Sequence, residues 1–274
     1  MSKITASEVN KLRKMSGAGI MDCKNALVES NGDFDTAIEF LRKKGQKVAA
    51  KRADRESSEG TVIAKVDPSK TIGVIISLNC ETDFVAKNES FIELANKIGE
   101  QALNYNSLED LLESKFDSIT VKEKLIEQTG VIGEKLVVGN FEKLSASYVG
   151  KYIHAGNKIA TLSGFSSQIE GIEEVAKNVA MQAAAMNPIA LDESGVEKQT
   201  VEKEIEIAKD QLRQEGKPEN MLDNIAKGKL RRFFKDNTLI NQDFIKDSKQ
   251  SVKQYIQSVD SNLKISGFKR VSLV

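Results

Sequence analysis

Between residues 5 and 45 the apolar positions recur at helical spacing in three short runs. Thr5-x-x-Glu8 is a capping box that opens the first helix, with Val9, Leu12 and Met15 predicted inward. Gly17-Ala18-Gly19 breaks it, and Ile20, Cys23 and Leu27 form the next apolar face. Asn31-Gly32 ends that helix, Asp33 caps a third, and Phe34, Ile38 and Leu41 line it as far as Gly45. A unit of roughly forty residues is small for a free-standing domain, so a tight core and a surface available for docking are expected. From Lys44 to Gly60 charges crowd together: Lys47, Lys51, Arg52 and Arg55 stand beside Asp54, Glu56 and Glu59. This predicts a linker, helical at most in part.

The period then changes to two. Residues 60–66 alternate, Asp67-Pro68-Ser69-Lys70 turns the chain, and residues 72–78 return, predicting an antiparallel hairpin with one buried face. Phe91, Leu94, Ala95, Ile98 and Ala102 follow at helical spacing. Ser107 and Thr120 read as caps of two further short helices, Thr120-x-x-Glu123 being a second capping box. A similar order recurs: residues 135–138, 148–153 and 158–163 read as strands. After them comes a helix with Ile172, Val175, Val179, Ala183 and Met186 on one face, stopped by Asn187-Pro188. Hairpin, connection and amphipathic helix thus occur twice, which predicts two related subdomains.

From Val196 a heptad seam begins with Val201, Ile205, Ala208 and Leu212. Gly216-Lys217-Pro218 turns it, and Leu222, Ile225, Ala226, Leu230 and Phe233 return. Glu197, Glu202, Glu204 and Glu206 populate the first leg; Lys227, Lys229, Arg231 and Arg232 populate the second. An antiparallel helical hairpin with mutually attracting legs is predicted. Self-packing of this hairpin and dimerisation through it both stay open at this point. Phe244-Ile245, a short helix through Val252 and Ile256, and a strand from Leu263 to Leu273 close the chain, the last suited to the second subdomain's sheet.

The expected fold is therefore α+β. An N-terminal three-helix (UBA-like) domain with its charged linker takes residues 1–55. A core N-subdomain spans 56–140, a core C-subdomain 141–187 and 236–274, and the helical hairpin is an insertion at 188–235. The 274 residues suffice for such a division and for at least one sizeable core.

Composition removes several function classes. Lys plus Arg and Asp plus Glu are both 40, which leaves no net field for nucleic acid or a membrane surface. Trp is absent, so aromatic platforms for bases or sugars are not expected. No apolar run approaches a membrane span, and Met1 to Glu8 holds no apolar export segment. The sequon Asn88-Glu89-Ser90 is discounted on that ground, and a reducing cytoplasm is expected. Cys23 and Cys80 form no metal or redox spacing. Neither forms a family-spaced triad with His154, the only histidine, and carboxylates lie scattered among lysines, so an enzyme is not expected.

One stretch stands apart: Asn79-Cys80-Glu81-Thr82-Asp83-Phe84-Val85-Ala86-Lys87-Asn88, between strand and helix, with Phe84 off both apolar patterns. Such a Phe either folds back as a lid on its own core or is held outward, with Asp83, as a probe for another protein. Spacing leaves both open. Leu12-Arg13-Lys14-Met15-Ser16-Gly17-Ala18-Gly19-Ile20-Met21-Asp22-Cys23-Lys24-Asn25-Ala26-Leu27 resembles the N-terminal signature of the translation elongation factor Ts family, and residues 79–87 resemble its second signature. The order of elements agrees over nearly the whole chain.

The resemblance implies guanine-nucleotide exchange on elongation factor Tu, with no cofactor of the chain's own, since the factor acts on Mg-GDP bound to its partner. Asp83 and Phe84, flanked by Thr82 and Val85, match residues that enter the partner's G domain near the magnesium site. Arg13, Ile20 and Met21 match N-terminal contacts, Ile20 replacing a methionine common there. Ile132 and His154 match an apolar pocket for a partner helix. The hairpin matches the family's coiled-coil module, which implies a homodimer or 2:2 complex in some members and partner contact in others. Some members continue past the last strand into a further gripping module; the chain ends at Val274, so that contact is expected to be lost. The competing expectation is a protein–protein adaptor without exchange activity, and the remaining rivals are an enzyme built on Cys80 and a nucleic-acid chaperone.

Overall fold

A computed structural model describes residues 4–273; Met1, Ser2, Lys3 and Val274, on which part of the export-segment and chain-end readings rest, lie outside the described residues. The chain opens with α1 (Ala6–Ser16), α2 (Ile20–Glu29) and α3 (Phe34–Lys51). Thr5 and Glu8 close the expected capping box, and Leu12, Cys23, Ala26, Leu27 and Ala37 form a fully buried small core. Met15 and Ile20, expected inside, are exposed: Met15 sits in the last turn of α1 and Ile20 starts α2, where neither side chain reaches the core.

Helix α3 does not stop at Gly45. It continues to Lys51, because Gly45 is used for close approach to Gly130 of α7 (Val121–Ile132) rather than as a terminator. A Cβ on Gly130 would collide with the Gly45 Cα, so the two helices cross backbone to backbone. The charged segment beyond is also no free linker. Lys135 Nζ donates to the carbonyls of Ala53 (2.7 Å) and Arg55 (3.0 Å), and Asn79 Nδ2 donates to that of Ser57 (3.0 Å).

Strand β1 (Glu59–Val66) pairs antiparallel with β2 (Ile72–Cys80) from Glu59↔Cys80 to Val66↔Gly73, as expected of the hairpin. Next come α4 (Asp83–Ala86), α5 (Glu89–Ala102), α6 (Leu108–Glu113), the two-residue strands β3 (Lys115–Phe116) and β4 (Ile119–Thr120), α7, and β5 (Val137–Ser145). The last is longer than the expected 135–138 and crosses the expected subdomain limit at 140. It joins the first sheet, pairing with β2 so that the order is β1-β2-β5. A second sheet, β10-β7-β6, is built from β6 (Tyr148–Ile153), β7 (Ile159–Phe165) and the final strand β10 (Ile265–Ser272).

Both faces of the first hairpin are buried, not one. Ile63, Val74, Ile76, Leu78 and Cys80 face a helical layer containing Phe91, Leu94 and Ile98 of α5. Val62, Ala64 and Ile75 face the second sheet, meeting Val149, Ala160, Leu162 and Val271. Helix α8 (Ile172–Met186) covers that sheet's far side, its residues Val175, Ala176 and Val179 packing with Phe165. Met186 ends the helix and is exposed rather than inward. The result is an α+β sandwich of helix, sheet, sheet and helix.

A short 3₁₀ turn (Glu193–Gly195) leads into the hairpin of α9 (Lys198–Gln214) and α10 (Glu219–Asn237). Its buried seam is Ala208 and Leu212 against Leu222 and Ala226, with Val201 and Ile205 only half-buried. The cross-leg ion pairs differ from those expected: Lys209–Asp223 (2.9 Å), Arg213–Glu219 (2.9 Å) and Lys229–Glu215 (3.5 Å). Of the four basic residues named above, only Lys229 appears, because the helix register puts the named glutamates elsewhere. Buried Gln242 ties down the hairpin's root through the Met186 (3.3 Å) and Asp236 (3.0 Å) carbonyls. The chain then passes through β8 (Asp243–Phe244), β9 (Asp247–Ser251) and α11 (Val252–Val259) to β10. Among the described residues no helix is long and apolar enough to cross a membrane.

The glycine crossing yields a test. Gly130→Leu should separate α3 from α7 at a cost of about 1–3 kcal/mol, the usual range for overpacking. Limited proteolysis should then cut the now unpinned segment 52–58, and the thermal midpoint should fall. An unchanged midpoint and unchanged cleavage would show that the crossing does not hold the N-terminal unit.

Candidate functional site

At Cys80 strand β2 ends and passes the chain to α4, a single helical turn. Thr82 is its N-cap and accepts the Val85 N–H at 3.5 Å. Ala86 is buried and Val85 half-buried on the first core, so the inner side of the turn is anchored. Phe84 projects from the outer side and is 83% exposed, more than any other large hydrophobic among the described residues. A side chain this open covers nothing, so the lid reading is excluded. Beside it, Asp83 accepts from Lys87 Nζ at 2.7 Å, one turn along. That hydrogen bond and the lysine's charge hold the Asp83 carboxyl below its ordinary range.

Two glutamates brace the turn from behind. One carboxylate oxygen of Glu134 accepts the backbone N–H groups of Glu81 (3.1 Å) and Thr82 (3.0 Å), and the other accepts the Thr82 hydroxyl (2.7 Å). Glu81 in turn accepts the Lys135 N–H at 2.7 Å and the Arg52 guanidinium at 2.8 Å. The Lys135 N–H, and after it Arg52, hold the Glu81 carboxyl below the usual carboxylate range. Arg52 caps the C-terminus of α3, so this ion pair ties the N-terminal unit to the root of α4. Cys80 is buried, and its S–H donates to the Thr82 carbonyl at 3.2 Å. Burial pushes its thiol up to about 11, with the Glu134 charge adding to the effect. Such a thiol is not a nucleophile at neutral pH, which removes the rival built on it.

The remaining candidates lie on either side of the α1–α2 junction, at the end of α7 and in the β6–β7 turn. Helix α7 is capped by Gly133 in the left-handed region (φ 82°), immediately before Glu134. Val131 packs into the N-terminal core, and Ile132 is half-buried against the first sheet's core. Gly17, between α1 and α2, faces Val131, its Cβ position lying 4.0 Å from Val131 Cγ1. The α1–α2 junction therefore adjoins the end of α7. Arg13 is exposed in the last turn of α1, and Ile20 and Met21 are exposed in the first turn of α2. His154 occupies the β6–β7 turn, exposed, its Nδ1 3.0 Å from the Tyr152 hydroxyl. Asn157 in the same turn accepts the Val62 N–H at 2.7 Å, and Lys158 pairs with Glu59, the register partner of Cys80. The His154 turn thus lies at the same end of the sandwich as α4.

Sequence reasoning missed Glu134, Glu81, Arg52 and Lys135 as site residues. They read as scattered surface charges, and no period connects Glu134 with Thr82, 52 positions away. A cleft of about 290 Å³ lies elsewhere, between the N-terminal helices, α7 and the β3–β4 hairpin, and no residue of α4 lines it.

Known proteins resemble this chain over most or all of its length. A family model described as Elongation factor TS matches residues 81–273. Elongation factor Ts of Christiangramia forsetii is 66% identical over 273 residues, with 100% of both chains covered. That of Flavobacterium psychrophilum is 65% identical over 273 residues at the same coverage, and that of Amoebophilus asiaticus 49% identical over 271 residues, covering 98% of each chain.

Two measurements check the electrostatics. With its thiol at about 11 rather than the ordinary 9.0, Cys80 carries roughly a hundredfold less thiolate at pH 8 than an open cysteine. Native protein should resist alkylation there and react fully once unfolded; rapid native labelling would contradict the buried assignment. The depressed Glu81 carboxyl stabilises the fold above its unfolded value, near 4.5, and that contribution is lost as pH falls through the lower folded value. Urea midpoints of wild type should therefore drop more between pH 6 and pH 3 than those of Glu81→Gln. Equal drops would mean the carboxylate is not stabilised.

Proposed function

The chain belongs to the elongation factor Ts family, and from that premise we propose that it is a guanine-nucleotide exchange factor for elongation factor Tu. The observation that carries the reading is the exposure of Phe84 beside Asp83 on a braced turn. Burying an open phenyl ring is favourable for any partner that offers a matching apolar slot.

In this reading Asp83 and Phe84 enter the partner's G domain near its magnesium site. The phenyl ring wedges between partner helices and displaces groups that hold Mg²⁺. Bound GDP depends on that ion and on backbone amides for charge compensation, so losing them loosens the nucleotide. A wedge costing the nucleotide-bound state about 4 kcal/mol speeds release roughly a thousandfold. Linkage then requires factor and GDP to weaken one another's binding, the factor preferring the empty partner. No bond is made or broken, and no cofactor beyond the partner's own Mg-GDP is called for.

Thr82 and Val85 serve this function by capping and anchoring the turn. Arg13, Ile20 and Met21 supply a second contact on the G domain. His154 and the outer edge of Ile132 receive a partner helix. Support for joint engagement comes from their placement: the His154 turn shares one end of the sandwich with α4, and the α1–α2 junction adjoins the end of α7 that braces it.

Release of a fluorescent GDP from the matched elongation factor Tu, chased with unlabelled GDP, tests the reading. Wild type should accelerate release at substoichiometric amounts, and Phe84→Ala should lower that effect by about tenfold or more, equivalent to 1.4 kcal/mol. Its thermal midpoint should hold, since an exposed ring lacks the roughly 3–5 kcal/mol of a buried Phe. No acceleration by wild type would overturn the proposal and favour an adaptor.

A further inference from the structure

A helix of one turn does not hold its own geometry, because nucleation costs more than one hydrogen bond returns. Helix α4 spans only Asp83–Ala86, yet it presents the most exposed aromatic ring of the described chain. What holds it is the convergence of three donors on one carboxylate: the Glu81 N–H, the Thr82 N–H and the Thr82 hydroxyl all reach Glu134, at 3.1, 3.0 and 2.7 Å. The same hydroxyl oxygen accepts the Val85 N–H. Donating to Glu134 therefore turns the Thr82 lone pairs toward the helix it caps. An amide could not replace the acid without loss: its oxygen could keep the two N–H bonds, but its NH₂ would turn the Thr82 hydroxyl into an acceptor, and both the hydroxyl's donated bond and the carboxylate charge would be gone.

Glu134 is itself fixed, following Gly133 at the end of α7, the helix that also carries the Gly45–Gly130 crossing. Arg52, at the end of α3, closes the circuit through Glu81. We infer that Glu134 is a positioning residue for nucleotide exchange: it acts through Thr82 to hold Asp83 and Phe84 in a single presented orientation. The inference rests on the exchange function proposed above and deepens it. Without Glu134 the turn samples several orientations, and only the competent fraction engages productively. Surface outside α4 still docks, so the loss falls on the rate rather than on binding.

The test compares Glu134→Gln, Thr82→Val and Thr82→Ser with Phe84→Ala, alone and combined with Glu134→Gln. Readouts are the maximal rate of labelled GDP release from elongation factor Tu, the half-saturating factor concentration, thermal midpoints, and amide exchange over residues 81–85 in the free protein. Glu134→Gln and Thr82→Val should each lower the maximal rate about tenfold, moving half-saturation less than about threefold. Amide protection at residues 82 and 85 should fall, and Thr82→Ser, which keeps the hydroxyl, should restore both rate and protection. Adding Glu134→Gln to Phe84→Ala should cost nothing further, because both act through one probe. Unimpaired exchange by Glu134→Gln, or fully additive losses, would overturn the inference while the exchange function stands. Wild type that releases no nucleotide would overturn the exchange function itself, and this inference with it.

Discussion

Strand β2 is buried on both faces, and the remaining layers follow from covering it. Val74, Ile76, Leu78 and Cys80 need a helical layer, which α5 and its neighbours provide. Ile75 needs an apolar surface on the opposite side, and the second sheet supplies it through Val149, Ala160 and Leu162. That sheet then has a far side of its own, closed by α8. A strand hidden on both faces loses its alternation, and its exit is constrained because Cys80 ends fully buried. The chain has to come out of the core sharply at Glu81, and that emergence is what places a turn at the edge of the sandwich.

This origin explains the site's economy. The turn after β2 is short, and its stability is borrowed from charges brought in by other elements. The C-terminal end of α7 serves three masters: Val131 faces the N-terminal core, Ile132 the first sheet, and Glu134 the turn itself. Arg52 brings the end of α3 to the same place. Each buried or half-buried charge here is met by hydrogen bonds, which is the condition under which desolvating a carboxylate is tolerable. Among the described residues, Phe84 is the large apolar side chain that the free molecule's own packing covers least.

The molecule holds its cysteines and its histidine apart, each against a neighbour of its own. Its two cysteines are buried, with the Cys80 thiol driven upward by desolvation. His154 meets Tyr152 rather than a nucleophile. With 40 basic and 40 acidic residues in balance, long-range fields contribute little to finding a partner. In the proposed function recognition then rests on shape and on exposed apolar groups, Phe84, Ile20 and Met21 among them.

Local rules were legible from the residues alone. Capping boxes at Thr5 and Thr120, the β1–β2 turn, the α9–α10 hairpin and the stop after Met186 follow from short-range hydrogen bonding and periodicity. Motif likeness pointed to the family before any coordinates. Periodicity reports which face of an element is apolar but not what that face meets, so it could not separate a one-sided from a two-sided β2, nor join β5 to the first sheet. Gly45 looked like a helix stop because a terminator and a close-approach site are the same residue; only the position of Gly130 distinguishes them. Phe84 as lid or probe, and Glu134 as brace or surface charge, were likewise undecidable. The sequence by itself determined the main helices and strands and their order, but not α4, β3, β4, β8 or β9. Tertiary structure alone decided the exposure of Phe84 and the Glu134–Thr82 contact, because these depend on chain segments 52 residues apart meeting in space.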